Sequence, residues 1–418
     1  MIKRHISASL LEALADTPVV LLHGARQTGK STLTQWLASN QHPSRYLTLD
    51  DAGILAAARE DPTGFVTALK ESAVIDEVQR APELFMAIKA AVDRDRRPGR
   101  FLLTGSADVI LLPRLSESLA GRIEILTLWP LSQGEIEGTK ETFIDILFSS
   151  ELPTKIKTRQ DWAELLGRIL QGGYPVVQER LTQARHKAWF SSYVTTILQR
   201  DVRDLSGIEG LTLLPRLLSL LAARSTSLLN FSELSRSVAI PQTTLKRYMA
   251  LLEMTFLIQT LPAWSSNLSK RLVKTPKFVL NDTGLMAYIL GLSRERLTME
   301  STLAGPLLEN FVSMELRKQA AWSKIQPQLF HFRTLAGQEV DIVLEDAAGK
   351  LVGIEIKASA TVGGGDFRGL RTLAELTGKR FQNGAVLYTG SECIPFGARL
   401  YALPVSALWE TSTKKAIK

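Results

Sequence analysis

The sequence predicts an α/β protein built from several domains, and three observations support this prediction. A chain of 418 residues is too long for one ordinary hydrophobic core, which indicates roughly two to four domains. Up to about residue 135, short apolar runs alternate with helical patterns, as is typical of a parallel sheet flanked by helices. From about residue 296 onward the pattern is again a mixture of helix and strand.

Shifts in composition divide the chain into four predicted regions. The segment SQGEIEGTKE, rich in turn-forming and charged residues, follows the first alternating region and predicts a boundary. Beyond it the pattern is mainly helical, then compact and basic, and finally mixed. The predicted regions are a first α/β domain at 1–135, a helical connecting region at 136–225, a basic unit at 226–295 and a second α/β domain at 296–418.

Composition and charge restrict the functional class. The chain has 45% hydrophobic and 22% charged residues, and its formal charge of +8 favours polyanionic partners, mainly nucleic acid. A single cysteine, Cys393, excludes a disulfide framework and fits a reducing cytosol. No apolar stretch without charge approaches the length of a membrane-spanning helix, and LTLLPRLLSLLAAR is interrupted by Pro215 and Arg216. We therefore expect a cytoplasmic protein that does not insert into a membrane.

The first domain contains four runs that read as parallel strands. Each ends in a polar cluster, as expected where parallel strands deliver side chains to a site at their carboxyl ends. The runs are PVVLLHG, RYLTLDD, SAVIDEV and RFLLTGS.

The strongest motif is HGARQTGKST, which lies between an apolar strand and a helical segment. Its glycines allow consecutive backbone N–H groups to turn around phosphate oxygens, and the following helix points its positive end at them. Lys30 would reach the terminal phosphates of ATP, and the Ser31 hydroxyl would bind Mg²⁺. The predicted nucleotide-binding residues are Gly24, Ala25, Arg26, Gln27, Thr28, Gly29, Lys30, Ser31 and Thr32.

Two acidic residues follow the third strand, in AVIDEVQ. Asp76, at the end of the buried run, would complete the Mg²⁺ shell, and Glu77 would orient or deprotonate the attacking water. The alternative is an ordinary surface acidic pair after a strand.

Two further residues are candidates for the same site. Thr104, at the end of FLLTGS, could sense the γ-phosphate or fix the water, or it could belong to a plain turn at the strand end. Arg122, after Gly121, could reach a neighbouring subunit's nucleotide and stabilise transition-state charge, or it could be solvated. Arg114 is a weaker candidate for that role.

In this order, several motifs resemble the prokaryotic AAA-type ATPases that carry a C-terminal domain of unknown function. The resemblance covers nearly the whole chain. The motifs are HGARQTGKST, AVIDEVQ, LLTGS, SLAGRIEILTLWPLSQGE, GGYP, SYVTTILQRDV, KRYMALLEMTFLI, KTPKFVLNDTGL, GPLLENFVSMEL and EVDIVLEDAAGKLVGIEIKAS.

The resemblance implies an ATPase domain, a winged-helix-like middle and a terminal fold similar to the PD-(D/E)XK nucleases. It assigns the nucleotide roles to Lys30, Ser31, Asp76 and Glu77, and strengthens Arg122 as an arginine finger.

The basic middle unit predicts a recognition helix followed by a basic loop. Residues 231–280 contain seven basic and two acidic residues. Such charge suits the phosphate backbone of duplex DNA. The alternative is that this surface contacts protein, or that the loop covers the ATPase domain. The basic residues are Arg236, Lys246, Arg247, Lys270, Arg271, Lys274 and Lys277.

The segment VDIVLEDAAGKLVGIEIKAS predicts a β-hairpin with a three-residue loop, in which Gly349 takes the left-handed position. In that register Asp341 lies opposite Glu355, and Lys357 is on the same face. Two facing carboxylates repel unless a cation or a proton lies between them.

A Mg²⁺ site would therefore use Asp341 and Glu355, with Lys357 acting on the attacking water or on the phosphate. In nuclease-like families a glutamate from the preceding helix completes the cluster, and Glu309 matches it by position, ahead of Glu315. The chain departs from the namesake motif, because Val340 rather than proline precedes Asp341.

The alternative for this hairpin is a surface element in which Glu339 and Lys357 form a cross-strand ion pair. A nuclease-like fold can also persist as a binding or docking module.

Three functional hypotheses follow from the sequence. The first is an ATP-hydrolysing protein that acts on DNA or is regulated by it. The second is an ATP-gated, Mg²⁺-dependent nuclease. The third is a nucleotide-dependent module for protein partners without nuclease activity. Each is compatible with a homo-oligomer.

Overall fold

The computed structural model describes residues 2–106, 119–149, 161–202, 212–299 and 301–411. Within these ranges no helix combines the length and the apolar character that crossing a bilayer would require. Arg114 lies outside the described residues.

The first domain is built on a five-stranded parallel sheet in the order β2-β3-β4-β1-β5. The four predicted strands are confirmed, and the two central runs are buried along their whole length, as expected for a parallel sheet covered on both faces. The edge strand β5 was not anticipated as a strand. The strands are β1 (Val19–His23), β2 (Arg45–Thr48), β3 (Ala73–Asp76), β4 (Phe101–Gly105) and β5 (Ile123–Thr127).

The flanking helices leave the carboxyl edge of the sheet open. The polar ends of β1, β3 and β4 meet at this edge, because the three strands are neighbours and run in the same direction. The helices of this domain are α1 (Ser7–Asp16), α2 (Lys30–Asn40), α3 (Ala52–Glu60), α4 (Pro62–Thr67) and α5 (Leu84–Arg94).

The middle of the chain is mainly helical and contains a two-stranded antiparallel sheet, β6 (Ile258–Leu261) and β7 (Lys277–Leu280). Its helices are α6 (Gln133–Glu137), α7 (Phe143–Leu147), α8 (Trp162–Gln171), α9 (Pro175–Gln178), α10 (Gln183–Thr196), α11 (Leu214–Ala223), α12 (Phe231–Val238), α13 (Gln242–Met254), α14 (Leu268–Val273), α15 (Thr283–Leu290) and α16 (Arg294–Met299).

The last region is a mixed six-stranded sheet in the order β12-β13-β11-β10-β9-β8. Its strands are β8 (Gln328–Arg333), β9 (Glu339–Glu345), β10 (Leu351–Lys357), β11 (Phe381–Tyr388), β12 (Ile394–Pro395) and β13 (Leu400–Pro404). Its helices are α17 (Ala304–Ala320), α18 (Arg368–Thr377) and α19 (Ala407–Glu410).

The middle and terminal regions are packed together rather than joined by a loose linker. One apolar core contains Phe143 and Leu147 of α7 together with Ile342 and Ile354 of the terminal sheet. The N–H of Trp264 donates to the His331 carbonyl, and the N–H of His331 donates to the Pro262 carbonyl, which places the segment after β6 along strand β8. This pairing covers β8, which would otherwise present unpaired backbone groups at the edge of the sheet.

Candidate functional site

A cleft of about 490 Å³ lies at the carboxyl edge of the parallel sheet. The phosphate-binding loop forms one wall, and Asp50 and Glu77 lie on another. Ile2 and Arg4 reach the cleft from the amino-terminal segment, and residues 175, 176 and 179 reach it from the helical region. The structure therefore brings most of the predicted nucleotide residues to one cavity: Arg26, Gln27, Thr28, Gly29, Lys30, Ser31 and Thr32.

The loop backbone has the conformation of an anion nest. Gln27 and Gly29 both adopt positive φ, 63° and 92°, and α2 begins at the next residue, Lys30. Residues with positive φ, placed among residues with negative φ, turn successive backbone N–H groups toward one concave surface that can bind an anion. The Lys30 ammonium donates to the carbonyls of Gly24 and Ala25, at 3.0 and 2.9 Å, so these carbonyls are satisfied within the loop.

Asp76 is held by hydroxyl groups. The Ser31 hydroxyl donates to its Oδ1 at 3.1 Å, and the Thr104 hydroxyl donates to the same oxygen. The Tyr46 hydroxyl donates to Oδ2 at 2.8 Å. Burial, and then the negative charge of Asp76, raise the pKa of Tyr46, so it remains a donor. Ser31 and Asp76 thus lie in direct contact, as two ligands of one Mg²⁺ shell would.

Glu77 is positioned by two neighbours and by its own backbone. Its N–H donates to the Thr104 hydroxyl at 3.2 Å, and its carboxylate accepts from the Gln79 amide. The same amide reaches the Ser106 hydroxyl at 2.9 Å. Glu77 has φ 59°, an unfavourable value for a residue with a side chain, and such strain is concentrated at functional sites.

These residues fit a nucleoside triphosphate with Mg²⁺. The nest and the start of α2 offer backbone donors to phosphate, while hydroxyl and carboxylate oxygens are the ligands that Mg²⁺ prefers. Thr104 lies against Asp76 and Glu77 instead of lining the cleft, so it braces the two acids.

Arg122 is remote from the cleft of its own chain. It precedes β5, and the register of β5 with β1 places it at the amino edge of the sheet. The phosphate-binding loop follows the opposite, carboxyl end of β1. The two ends of this five-residue strand are roughly 16 Å apart. Its Nε donates to Asp93 at 2.6 Å. A role across a subunit boundary stays a prediction.

The terminal hairpin has the predicted register. Strands β9 and β10 pair Ile342 with Ile354 and Glu345 with Leu351, and Gly349 has φ 76°. Asp341 accepts from the N–H of Ile356 at 2.9 Å.

A lysine from outside the hairpin binds the carboxylates there. The ammonium of Lys277, on β7, lies 2.7 Å from Glu309 and 3.4 Å from Asp341. Glu355 pairs with Lys357 at 2.8 Å. The charge of Asp341 thus acts on both Glu309 and Glu355, but a cation of the same chain already lies against Glu309 and Asp341. Lys277, Glu309 and Asp341 line a cleft of about 560 Å³ between the middle and terminal regions.

The pKa values reflect this crowding of charge. Burial, and then the charge of Asp341, raise the pKa of Glu309 to about 7 although Lys277 opposes the shift. The same two causes raise the pKa of Glu355 to about 7. Burial would lower the pKa of Lys277, but Glu309 and Asp341 raise it above its usual value. The ammonium is therefore charged at neutral pH.

One expectation for this region needs correction, and another stays untested. The cross-strand pair of Glu339 with Lys357 is wrong: Glu339 binds Arg333 at 3.0 Å, and Lys357 binds Glu355. Among the described residues, no group of three or more His, Cys, Asp or Glu side chains has the arrangement of a metal site. The Mg²⁺ site of the hairpin stays a prediction.

The basic middle unit is also less available than the sequence indicates. Arg271 forms an ion pair with Glu345 of the terminal sheet and lies over the Trp264 ring. Lys277 is 6% exposed. Two of the seven basic residues are therefore committed within the chain. The other five are exposed at the surface: Arg236, Lys246, Arg247, Lys270 and Lys274.

A buried junction connects the cleft to the terminal region. Leu131 lines the cleft, its N–H donates to the Gly173 carbonyl at 2.7 Å, and its carbonyl accepts from Lys318 at 2.9 Å. Lys318 also binds Glu315 at 2.6 Å, and Asp282 accepts from the Gly173 N–H at 2.6 Å. Lys318 and Glu315 belong to α17, the helix that carries Glu309. Glu315 is thus part of the junction, not of the acidic cluster.

Sequence reasoning missed four residues of these sites. Gln79 belongs to the motif AVIDEVQ and Tyr46 to the strand RYLTLDD, and a polar side chain at a strand end was the available signal. Lys277 was counted only as part of a basic loop. Arg4 had no signal, because the sequence does not show that an amino-terminal arginine folds back onto the loop.

The fold and the cleft together define a P-loop domain on a parallel sheet. A family model described as an AAA domain matches residues 16–137. Two models described as domains of unknown function, DUF8612 and DUF4143, match residues 163–296 and 304–408.

Two curated relatives match the chain over almost its whole length. They are the uncharacterized proteins Rv2008c of Mycobacterium tuberculosis and Mb2031c of Mycobacterium bovis. Each is 32% identical over 414 residues, which cover 98% of this chain and 85% of the relative. The chain belongs to the same family as these proteins, with an AAA-type ATPase domain at its amino-terminal end.

Solved structures give weaker likenesses. The Thermotoga maritima RuvB Holliday junction branch migration motor is 19% identical, with a TM-score of 0.30, over 62% of this chain and 89% of that one. AMPPCP-bound DnaA from Aquifex aeolicus is 12% identical, with a TM-score of 0.25, over 59% and 85%. At such scores, neither likeness bears on the function of this chain.

Proposed function

We propose that the protein binds ATP with Mg²⁺ and hydrolyses it. The supporting observation is that Lys30, Ser31, Asp76 and Glu77 come together around the phosphate-binding loop, with Ser31 in contact with Asp76 and with Lys30, Ser31 and Glu77 lining the cleft. Mg²⁺, when bound, would neutralise charge on the phosphates.

Each residue has a role that its contacts support. Lys30 would leave the loop carbonyls for the terminal phosphates, and Ser31 and Asp76 would hold the ion. Glu77, fixed by Gln79 and Thr104, would orient the attacking water and accept its proton.

Steady-state turnover and binding of a non-hydrolysable ATP analogue test this proposal. Glu77→Gln should keep analogue affinity within about threefold while kcat falls by about 10²–10⁴, the usual contribution of a general base. Glu60→Gln, an exposed change in the same domain, is the matched control. Full turnover by Glu77→Gln would contradict the assigned base.

We propose further that ATP turnover changes how the middle and terminal regions engage duplex DNA. Support comes from the exposed lysines Lys270 and Lys274, and from the junction through which Leu131 contacts the terminal helix. Removing one lysine that binds a DNA phosphate should reduce the slope of log affinity against log salt by about 1.

The test is a salt titration of duplex binding. Lys270→Ala and Lys274→Ala should each lower the slope, whereas Lys89→Ala, on the ATPase domain, should not. Binding that does not weaken with salt would contradict the DNA proposal and leave a protein partner as the alternative.

A second candidate function is Mg²⁺-dependent cleavage of a phosphodiester by Glu309, Asp341, Glu355 and Lys357. The observation in its favour is that Glu309 and Asp341 line a cleft, and that the charge of Asp341 raises the pKa of both Glu309 and Glu355. It requires Lys277 to leave Glu309 and Asp341. Plasmid nicking that appears with ATP and disappears in Asp341→Ala would support it, and a wild type that never nicks would exclude it.

A further inference from the structure

Arg4 is a buried side chain that lines the cleft and contacts the phosphate-binding loop. It is 6% exposed, and its two terminal nitrogens donate to the carbonyls of Thr28 and Trp129, at 2.8 and 2.7 Å. Its Nε lies 3.1 Å from Glu135, which is 2% exposed. One guanidinium thus joins the loop, the segment after β5 and the start of α6.

The bond to Thr28 determines how the loop presents its donors. In a trans peptide the carbonyl and the following N–H point in opposite directions. Holding the Thr28 carbonyl against Arg4 therefore turns the Gly29 N–H away from the guanidinium. In the described part of the chain no protein acceptor takes that N–H, so it remains available to an anion.

Two other loop carbonyls also accept from side chains. Those of Gly24 and Ala25 accept from Lys30, and the Ala25 carbonyl also accepts from the Thr28 hydroxyl at 2.9 Å. Arg4 supplies the donor for the Thr28 carbonyl, and it comes from outside the motif. An arginine suits this position because its planar guanidinium holds two N–H donors in fixed directions, whereas the donors of an ammonium sit on a single nitrogen at the end of a flexible chain.

We propose that Arg4 is a positioning residue of the nucleotide site, which orients the Thr28–Gly29 peptide toward the phosphates. The proposal rests on ATP binding as proposed above. Arg4 acts through geometry more than through charge, because Glu135 neutralises it. Its removal should weaken binding of nucleotide without removing any group that takes part in hydrolysis.

The test compares Arg4→Gln and Arg4→Lys with Arg100→Gln in the full chain. Arg100 is a matched control: it is 9% exposed, lies in the same domain and donates to the carbonyls of Ala91 and Asp95, at 2.7 and 2.9 Å. Analogue affinity, KM and kcat are measured well below the melting temperature of each variant.

Both Arg4 variants should weaken analogue affinity and raise KM by roughly tenfold to a hundredfold, as expected for the loss of charge-assisted bonds. Their kcat should stay within about threefold at saturating ATP, and Arg100→Gln should bind like wild type. Wild-type affinity in Arg4→Lys would overturn the proposal, since charge alone would then suffice. Equal losses in Arg4→Gln and Arg100→Gln would overturn it as well, because the effect would then be general destabilisation.

Failure of the proposed function would look different. In that case wild type and Arg100→Gln would themselves fail to bind the analogue. If Arg4→Gln does not fold, Glu135→Gln provides the second variant, because it leaves both carbonyl bonds of Arg4 in place. Glu135→Gln should weaken analogue affinity by less than Arg4→Lys does. An equal or larger loss of affinity would contradict the role assigned to the Arg4 guanidinium and its two carbonyl bonds.

Discussion

The nucleotide cleft and the terminal acidic cluster are both built from carboxylates beside a lysine, yet they satisfy those carboxylates differently. Asp76 is bound by the hydroxyls of Ser31, Thr104 and Tyr46, which are neutral. Glu309 and Asp341 are bound by the ammonium of Lys277. Neutral donors leave the negative charge of Asp76 uncompensated, so a divalent cation gains from binding there. At the terminal cluster the charge is already partly compensated by the chain.

The two lysines should therefore respond in opposite ways to removal. Lys30→Met should weaken ATP-analogue binding by at least about a hundredfold, because no ammonium would then reach the phosphates. It should change the unfolding free energy less than removal of Lys277 does, because the ammonium donates to uncharged backbone carbonyls of its own loop. Analogue titration and chemical denaturation measure the two effects. If Lys30→Met strongly lowered the unfolding free energy but still bound the ATP analogue like wild type, the proposed difference between Lys30 and Lys277 would be contradicted.

Lys277→Met should mainly reduce stability. Removing one partner of a buried ion pair costs about 3–5 kcal/mol, because the remaining charge is left uncompensated. Lys357→Met, at a lysine whose side chain is 34% exposed, should cost less, about 1 kcal/mol or under. Denaturant melts of both variants give the comparison. Adding Glu309→Gln to Lys277→Met should recover part of the stability, and no recovery would contradict the pairing.

The hydroxyl partners of Asp76 allow a finer test. Thr104→Val removes a hydroxyl while keeping the shape of the side chain, and should lower kcat/KM roughly tenfold to a hundredfold through loss of a bond to a charged group. Tyr46→Phe should act in the same direction. Thr255→Val is the control, because that buried hydroxyl donates only to backbone carbonyls of the middle unit. An unchanged kcat/KM in Thr104→Val would show that the hydrogen bonds of the Thr104 hydroxyl to Asp76 and Glu77 are not needed for turnover.

The acidic cluster should also be visible in the pH dependence of stability. Because burial and Asp341 raise the pKa of Glu355 from 4.5 to about 7, the folded protein binds more protons than the unfolded one between those values. Its unfolding free energy should therefore fall as the pH rises through that window. Glu355→Gln should gain about 2–3 kcal/mol relative to wild type between pH 4.5 and pH 7. A constant difference across that range would show that Glu355 is ionised throughout.

Local patterns were enough to predict the strand, loop and helix that form the cleft. Strand, glycine-rich loop and helix are adjacent in sequence, so Gly29, Lys30 and Ser31 could be assigned from spacing alone, and a parallel sheet then brings Asp76 and Glu77 alongside. The hairpin register was predictable for the same reason, because a loop of three residues fixes it.

The remaining features depend on contacts between distant segments. Lys277 lies 32 positions from Glu309 and 64 from Asp341, and Arg4 lies 125 positions from Trp129. The sequence shows the charge of each residue but not the partner that packing brings to it. The edge strand β5 was missed because it is partly exposed and has no uniform apolar run.

The most direct test of the comparison is Mn²⁺ binding, followed by electron paramagnetic resonance on the full chain with and without a non-hydrolysable ATP analogue. Tight Mn²⁺ binding should require the analogue, should reach one ion per chain, and should be abolished in Asp76→Asn but not in Asp341→Asn. The account would be contradicted if Mn²⁺ bound wild type without the analogue and failed to bind Asp341→Asn. Lys277 would then not prevent a metal ion from binding Glu309 and Asp341.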